Sequence, residues 1–365
     1  MIEFITGASG TGKTTVMFER IKKFSEQGMK QCIIVPEQYS NDFDKKLYFH
    51  IGAKNFNELL SVSFSSLARQ IFQIYGDPVR NGEYADEMAR MILIHQAISS
   101  AKSNPESLSF FARRSGHQGF AEEIMKLIND MKHSGITPQK LTEKAELLDN
   151  KLHDKTTDIA LIYYEYERLM EHYGFKDNLE NIREAAKIAN LHQYFKGKCV
   201  CLDEFESFNA DQIDMLKVIF SSARNVIIAL RTDNVNSDEL TLFETVNSTY
   251  RQIAEICREL NCEYRIVCCK KTYRFNSPDL KYLSERVMRN LPDEPDKAPE
   301  ANNISIFEAR DMYSEAEYIC AEIKRLVYFN PLLKYKDIAV ISNNIEEYSE
   351  VIKAAFERYD IPCFL

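Results

Sequence analysis

The chain has 365 residues, 45% hydrophobic and 28% charged, with a formal net charge of −9. That is enough for two or three domains, too apolar for a disordered chain, and too acidic for a basic coat that binds DNA nonspecifically, although a local basic groove stays open. No apolar run approaches the ~20 residues of a membrane span, and Met1-Ile2-Glu3-Phe4 does not open a secretory signal, so a cytoplasmic protein is expected.

Residues 1–79 alternate strand and helix signals. Ile2–Thr6 is a short apolar strand, Gly7–Gly12 a glycine-rich turn, and Lys13–Gln27 a helix that stops near Gly28. Gln31–Val35 reads as a second strand and Leu59–Phe64 as a third, with a helix over Ser65–Tyr75. This rhythm predicts a parallel sheet with helices on its faces. Residues 80–195 change character. Apolar residues recur at helical spacing in Met88–Ala101, Phe120–Met131, Ile159–Tyr173 and Leu179–Tyr194, with polar breaks at Asn104-Pro105, Gly135 and Thr137-Pro138. An all-helical insertion is expected there.

Strand rhythm returns in residues 196–290, with strands at Lys198–Leu202, Asn225–Leu230 and Glu263–Cys268 and helices at Asp211–Phe220 and Leu240–Leu260. One sheet shared by 1–79 and 196–290, interrupted by the insertion, is the simplest organisation. Residues 291–300 are acidic and proline-rich and read as an exposed linker. A new βαβαβ pattern follows in 301–365: strands at Asn303–Phe307, Asp337–Ile341 and Ile361–Leu365, helices at Ser314–Phe329 and Ile345–Tyr359. That is about half a domain, so a fragment of a longer protein is expected.

Nine cysteines are present. Cys32, Cys199, Cys201, Cys268 and Cys269 fall in strand-like runs and read as small buried hydrophobes in a reducing compartment. A metal cluster of Cys257, Cys262, Cys268 and Cys269 is set aside, because there is no C-x-x-C pair and no histidine at ligand spacing.

The sharpest signal is Gly7-Ala8-Ser9-Gly10-Thr11-Gly12-Lys13-Thr14, followed by Thr15. It fits G-x-x-x-x-G-K-[ST] in full, after a strand and opening a helix, as a phosphate-binding loop requires. Glycines let successive backbone N–H groups face phosphate oxygens, and the helix adds its positive end. Lys13 is expected to reach the β- and γ-phosphates of ATP and the Thr14 hydroxyl to ligate Mg²⁺. The apolar run Cys199–Leu202 ends in Asp203-Glu204. Asp203 is expected in the Mg²⁺ shell, and Glu204 as the residue that orients or deprotonates the attacking water.

These motifs bring a family into view. The Asp-Glu pair points toward the RecA-like cores of helicases. Val62–Arg69 resembles a DNA-backbone segment of UvrD-like superfamily 1 helicases, and Lys271-Thr-Tyr-Arg274 resembles the asparagine-tyrosine-arginine segment of their motif IV. Asp337–Ile341 with Ile361-Pro362 resembles the opening of their second RecA-like domain, and the insertion has the size and place of their 1B subdomain. Together with Ile33–Tyr39, Leu202–Phe205 and the helix over Glu315–Leu326, the chain resembles the B-subunit family of the AddAB/RexAB helicase–nucleases along essentially its whole length.

The resemblance implies an α/β, RecA-like P-loop NTPase sheet with an all-helical insertion and the start of a second RecA-like domain. It implies ATP and Mg²⁺ as ligands, DNA and an A-type helicase–nuclease subunit as partners, and a role in processing double-strand breaks. An iron–sulfur cluster and the nuclease residues belong to a further C-terminal region. Ser63, Ser65 and Arg69 are implied as DNA-backbone contacts and Arg274 as a catalytic finger, though Arg274 reads equally well as a surface arginine at a helix start. Arg113 and Arg114, in the aromatic and glycine-rich stretch Phe110–Phe120, are DNA candidates from the residues alone; an ordinary loop with core phenylalanines is the favoured reading of that stretch.

Three departures from the helicase pattern carry expectations. Only six residues precede Gly7, leaving no room for the adenine-gripping glutamine motif, so weak base selectivity is expected. Phe205-Glu206-Ser207-Phe208 replaces the polar pair that follows Asp-Glu in helicases, so coupling to DNA movement is expected to be altered. Motifs V and VI lie beyond residue 365, so these residues alone are expected to hydrolyse ATP slowly and to neither unwind nor cut DNA. A metabolic kinase fits the long helical insertion poorly. A helicase-like scaffold that binds ATP or DNA without turnover is the main rival.

Overall fold

The computed structural model describes residues 1–76, 84–103, 108–112, 119–176, 181–235, 242–287 and 298–364. Its packing separates two units: Met1–Asn276 with Glu285–Pro292, and Ser277–Ser284 with Asp293–Leu365.

The first unit is built on six strands: β1 (Ile2–Thr6), β2 (Gln31–Ile34), β3 (Leu60–Val62), β4 (Cys199–Leu202), β5 (Asn225–Leu230) and β6 (Tyr264–Cys268). They form one sheet in the order β3-β2-β4-β5-β1-β6, and every pairing is parallel. Parallel sheets need cover on both faces, and the period-2 alternation of strand side chains supplies it. On β5, Val226, Ile228 and Leu230 point into one core while Ile227 and Ala229 point into the other. Helices α1 (Lys13–Glu26) and α2 (Ser40–Ile51) cover the second face, followed by the short α3 (Ala53–Phe56). Helix α4 (Phe64–Tyr75) covers the first. Its N-cap Ser63 accepts from the Ser66 N–H, which fixes where the chain turns from β3 into the helix.

The helical subdomain holds α5 (Glu87–Ser103), α6 (Phe120–His133), α7 (Pro138–Ala145) and α8 (Asn150–His172). Its own core includes Ile94, Ala97, Ile128, Ile162 and Tyr166. Phe111 and Phe120 belong to that core, whereas Phe110 is exposed beside the Phe111 ring, and residues 113–118 of the expected loop lie outside the described residues. Thr137-Pro138, a break by composition, in fact opens α7. Thr137 caps the helix and Pro138 occupies its first turn, where a missing N–H costs nothing.

Helix α9 (Asn181–Leu191) also departs from the expected grouping. Its Ala185, Ala186 and Ala189 are buried in the sheet's core with Tyr194 and Phe195, and not in the helical subdomain's. Small residues at helical spacing let α9 approach α4 and α10 (Ala210–Ser222) closely. Helix α11 (Glu244–Glu259) completes that layer. β6 is the sheet's edge and mostly exposed, so Cys268 is exposed, unlike the buried Cys32, Cys199 and Cys201.

The second unit holds the start of α12 (Pro278–Arg286), then α13 (Met312–Phe329) and α14 (Ile345–Arg358). Asp279 is buried, accepts from the Asn303 N–H at 2.7 Å and so ties residues 277–284 to this unit. The three strands expected here do not form a ladder among the described residues. Ile338, Ile352, Phe356 and Ile361 pack with α13 on one side, while Ile306 and Ile341 are 96% and 89% exposed. A parallel sheet with one bare face lacks the burial that stabilises it. Most of the expected linker, 291–300, lies outside the described residues. Among the described residues no helix is long and apolar enough to cross a membrane.

The α9 packing is open to test. Ala185 is fully buried, so Ala185→Leu forces extra volume into the sheet's core and should cost about 1–3 kcal/mol. A lower urea midpoint at unchanged m-value is the expected result.

Candidate functional site

β1 and β4 lie two strand spacings apart, about 10 Å, with β5 between them. The loops leaving their carboxyl ends nevertheless meet, because α1 starts at Lys13 and leans across. Thr14 Oγ1 donates to Asp203 Oδ2 at 3.0 Å. Lys13 Nζ donates to the Ala8 carbonyl at 2.9 Å, and Thr11 Oγ1 donates to the same oxygen at 2.8 Å. The lysine and both threonines therefore hold the loop in a closed curl. Gly12 is the N-cap of α1, with φ 85° and no side-chain cap, so the first-turn N–H groups are left to an incoming anion. Gly10 has φ 79°, and a Cβ there would stand 2.5 Å from Arg274 Cβ; only glycine fits. Gly7 is buried, Ala8 partly buried, and Ser9 and Thr15 exposed.

The second wall is Asp203-Glu204. Asp203 is 3% exposed, and burial, with Glu204 beside it, pushes its carboxyl up to about 6. Hydrogen bonds from the Glu204 N–H and Thr14 and the charge of Lys13 pull the other way. Burial lowers Lys13's proton affinity, while Asp203 and Glu204 raise it. Glu204 is exposed and takes a left-handed backbone, φ 63°, which is unusual for a residue with a side chain and typical of strained functional positions. Its N–H donates to Asp203 Oδ1 at 2.8 Å, so the turn that strains Glu204 also orients Asp203. A buried carboxylate joined to a hydroxyl is a hard-oxygen set that suits Mg²⁺, which needs few protein ligands.

Past β6, the chain folds back over the loop. The Tyr273 N–H donates to the Gly10 carbonyl at 2.8 Å, and Arg274 Nη1 donates to Ser9 Oγ at 2.8 Å. Arg274 thus lies at the glycine-rich loop. Sequence reasoning missed two residues. Tyr273, 64% exposed, lies about 3.6 Å from where a Gly12 Cβ would be; an aromatic next to Arg274 was the available signal. Arg231 follows β5 between the two walls; a cation at the end of an apolar strand was its signal.

The DNA candidates fall differently. Ser63 is buried, and its hydroxyl donates to Glu37 Oε1 at 3.0 Å. Ser65 and Arg69 are exposed on α4. Arg113 and Arg114 lie outside the described residues.

Fold and site together define an α/β protein of RecA-like type. Its residues 4–284 match the family described as ADDB, N-terminal. Over 380 residues the chain is 31% identical to the B subunit of the ATP-dependent helicase/deoxyribonuclease of Clostridium tetani. It is 29% identical to the corresponding protein of Clostridium kluyveri over 377 residues and 28% identical to that of Clostridioides difficile over 377. All of this chain and 32% of each relative are covered. The chain belongs to the ADDB N-terminal family, and it spans about a third of the length of these relatives.

The Asp203 shift predicts a pH signature. A carboxyl that binds its proton more tightly folded than unfolded loses stability as pH rises from about 4 through about 6. Asp203→Asn should therefore stabilise the fold at pH 7.5, by up to about 3 kcal/mol, and leave it unchanged at pH 3.5. An equal effect at both values in scanning calorimetry would contradict the burial argument.

Proposed function

We propose that this chain is the nucleotide-binding, helicase-like region of the B subunit of a heterodimeric ATP-dependent DNA helicase/exonuclease that processes double-strand breaks for recombinational repair. The observation that carries the proposal is the Thr14–Asp203 hydrogen bond beside Lys13 and Glu204. It brings hydroxyl, carboxylate, cation and base candidate to one place from two loops 189 residues apart.

In this reading the first-turn N–H groups of α1 and Lys13 bind the β- and γ-phosphates of ATP. Lys13 exchanges its hydrogen bond to Ala8 for a phosphate oxygen. Thr14 and Asp203 would hold Mg²⁺, which supplies charge neutralisation at the phosphates. Glu204 orients a water toward the terminal phosphate and accepts its proton. Arg274, now on Ser9, is the nearby arginine that serves the developing charge. The exposed Tyr273 ring offers a flat face to the base. Stacking favours no particular base, in keeping with weak selectivity. Ser65 and Arg69 contact the DNA backbone from α4, and the A-type subunit completes the assembly. Nine free cysteines suit a reducing cytoplasm.

A second reading, a scaffold without turnover, draws support from the buried Phe205 and Phe208, which stand where helicases place polar coupling residues. With the A-type partner present, single-stranded DNA should stimulate ATP turnover, and Glu204→Gln should abolish that contribution. An unchanged rate favours the scaffold.

Calorimetry tests binding directly. Lys13→Ala should weaken ATP at least about tenfold, near 1.4 kcal/mol, and AMP far less, because Lys13 faces the outer phosphates. ATP and GTP should bind the wild type within about tenfold of each other.

A further inference from the structure

The strand register places an unassigned cation in the candidate site. Thr6 of β1 pairs with Leu230 of β5, so Arg231 emerges in the same row as Gly7. The neighbouring strand, β4, delivers Asp203 and Glu204 on its other side. Arg231 thus sits between the glycine-rich loop and the acidic pair. Its guanidinium is ion-paired with Glu206, two residues past Glu204, and the two side chains are 52% and 55% exposed. An ion pair this exposed is weakly held. Glu206's backbone is pinned separately, because Thr249 of α11 donates to its carbonyl at 2.8 Å. Thr232, the next residue, is buried and donates to Asn247 Oδ1 at 2.6 Å. Both backbones are therefore anchored and only two side chains are free to move.

We propose that Arg231 is a γ-phosphate-binding residue that Glu206 holds in reserve. With no triphosphate bound, the Glu206 carboxylate neutralises it. A terminal phosphate carries more charge than one carboxylate and accepts a guanidinium through two oxygens, so it takes Arg231 over. A diphosphate does not extend far enough to compete. Glu206 then acts as a built-in competitor that sets the discrimination between triphosphate and diphosphate.

This inference rests on the nucleotide reading above, and calorimetry with Mg²⁺ separates the two. ATP and ADP are titrated into the wild type, Arg231→Gln, Glu206→Gln and the double variant, with thermal midpoints as the folding control. Arg231→Gln should weaken ATP about tenfold or more and leave ADP within about twofold. Glu206→Gln should tighten ATP severalfold and leave ADP alone, and the double variant should match Arg231→Gln. ATP binding that is Lys13-dependent but unaffected by Arg231→Gln, or weakened equally with ADP, overturns this inference alone. Weaker ATP binding by Glu206→Gln does the same. No ATP binding by the wild type overturns the nucleotide reading and this inference with it.

Discussion

All six strands of the sheet run in one direction, so every loop at their carboxyl ends opens on the same edge. The glycine-rich loop after β1, the acidic pair after β4, Arg231 after β5 and the strap after β6 are all consequences of that one constraint. Ligands of open parallel sheets bind outside the carboxyl ends for this reason. The hydrogen bond from Thr14 to Asp203 is where the constraint becomes chemistry. It closes the gap left by the intervening strand and draws two distant loops into one site.

The site is kept at a cost to the fold. Asp203 is buried as an acid whose charged form is disfavoured, and Glu204 sits in a backbone region that side chains avoid. Each would be replaced if stability alone mattered. Around them, the structure supplies compensation from ordinary packing. Phe205 and Phe208 stack on each other at 4.9 Å and meet Phe64 of α4 edge-on. The strained turn is thus clamped by an aromatic cluster at the start of the helix that carries Ser65 and Arg69. Whatever alters the acidic turn is mechanically next to that exposed face.

Membership in the ADDB N-terminal family follows from a match over residues 4–284, and the site chemistry sits wholly inside that range. The second unit has a different character. Its helices α13 and α14 pack through Ala316, Cys320, Ile352 and Phe356. Around them several apolar side chains, Ile306 and Leu332 among them, are 96% and 89% exposed.

What the sequence determined by itself is local. Three glycines, a lysine and a threonine at fixed spacing specify a loop because each residue's role depends on its immediate neighbours. The alternation in Asn225–Leu230 likewise specifies a buried strand. The start of α7 is also written locally, in Thr137-Pro138, yet it reads as a break, because a cap and an N1 proline have the same composition as a turn. Tertiary structure decided what depends on partners far along the chain. It moved α9 from the helical insertion to the sheet's core, because small buried faces of Ala185 and Ala189 fit either neighbour on pattern alone. It withheld strands at Asn303–Phe307 and Asp337–Ile341, because a strand exists only with something to pair with and cover it. It turned Ser63 inward onto Glu37, and it brought Arg231 and Tyr273 to the glycine-rich loop across more than 200 residues, since register and the fold-back after β6 are set by the packed sheet and by no short-range pattern.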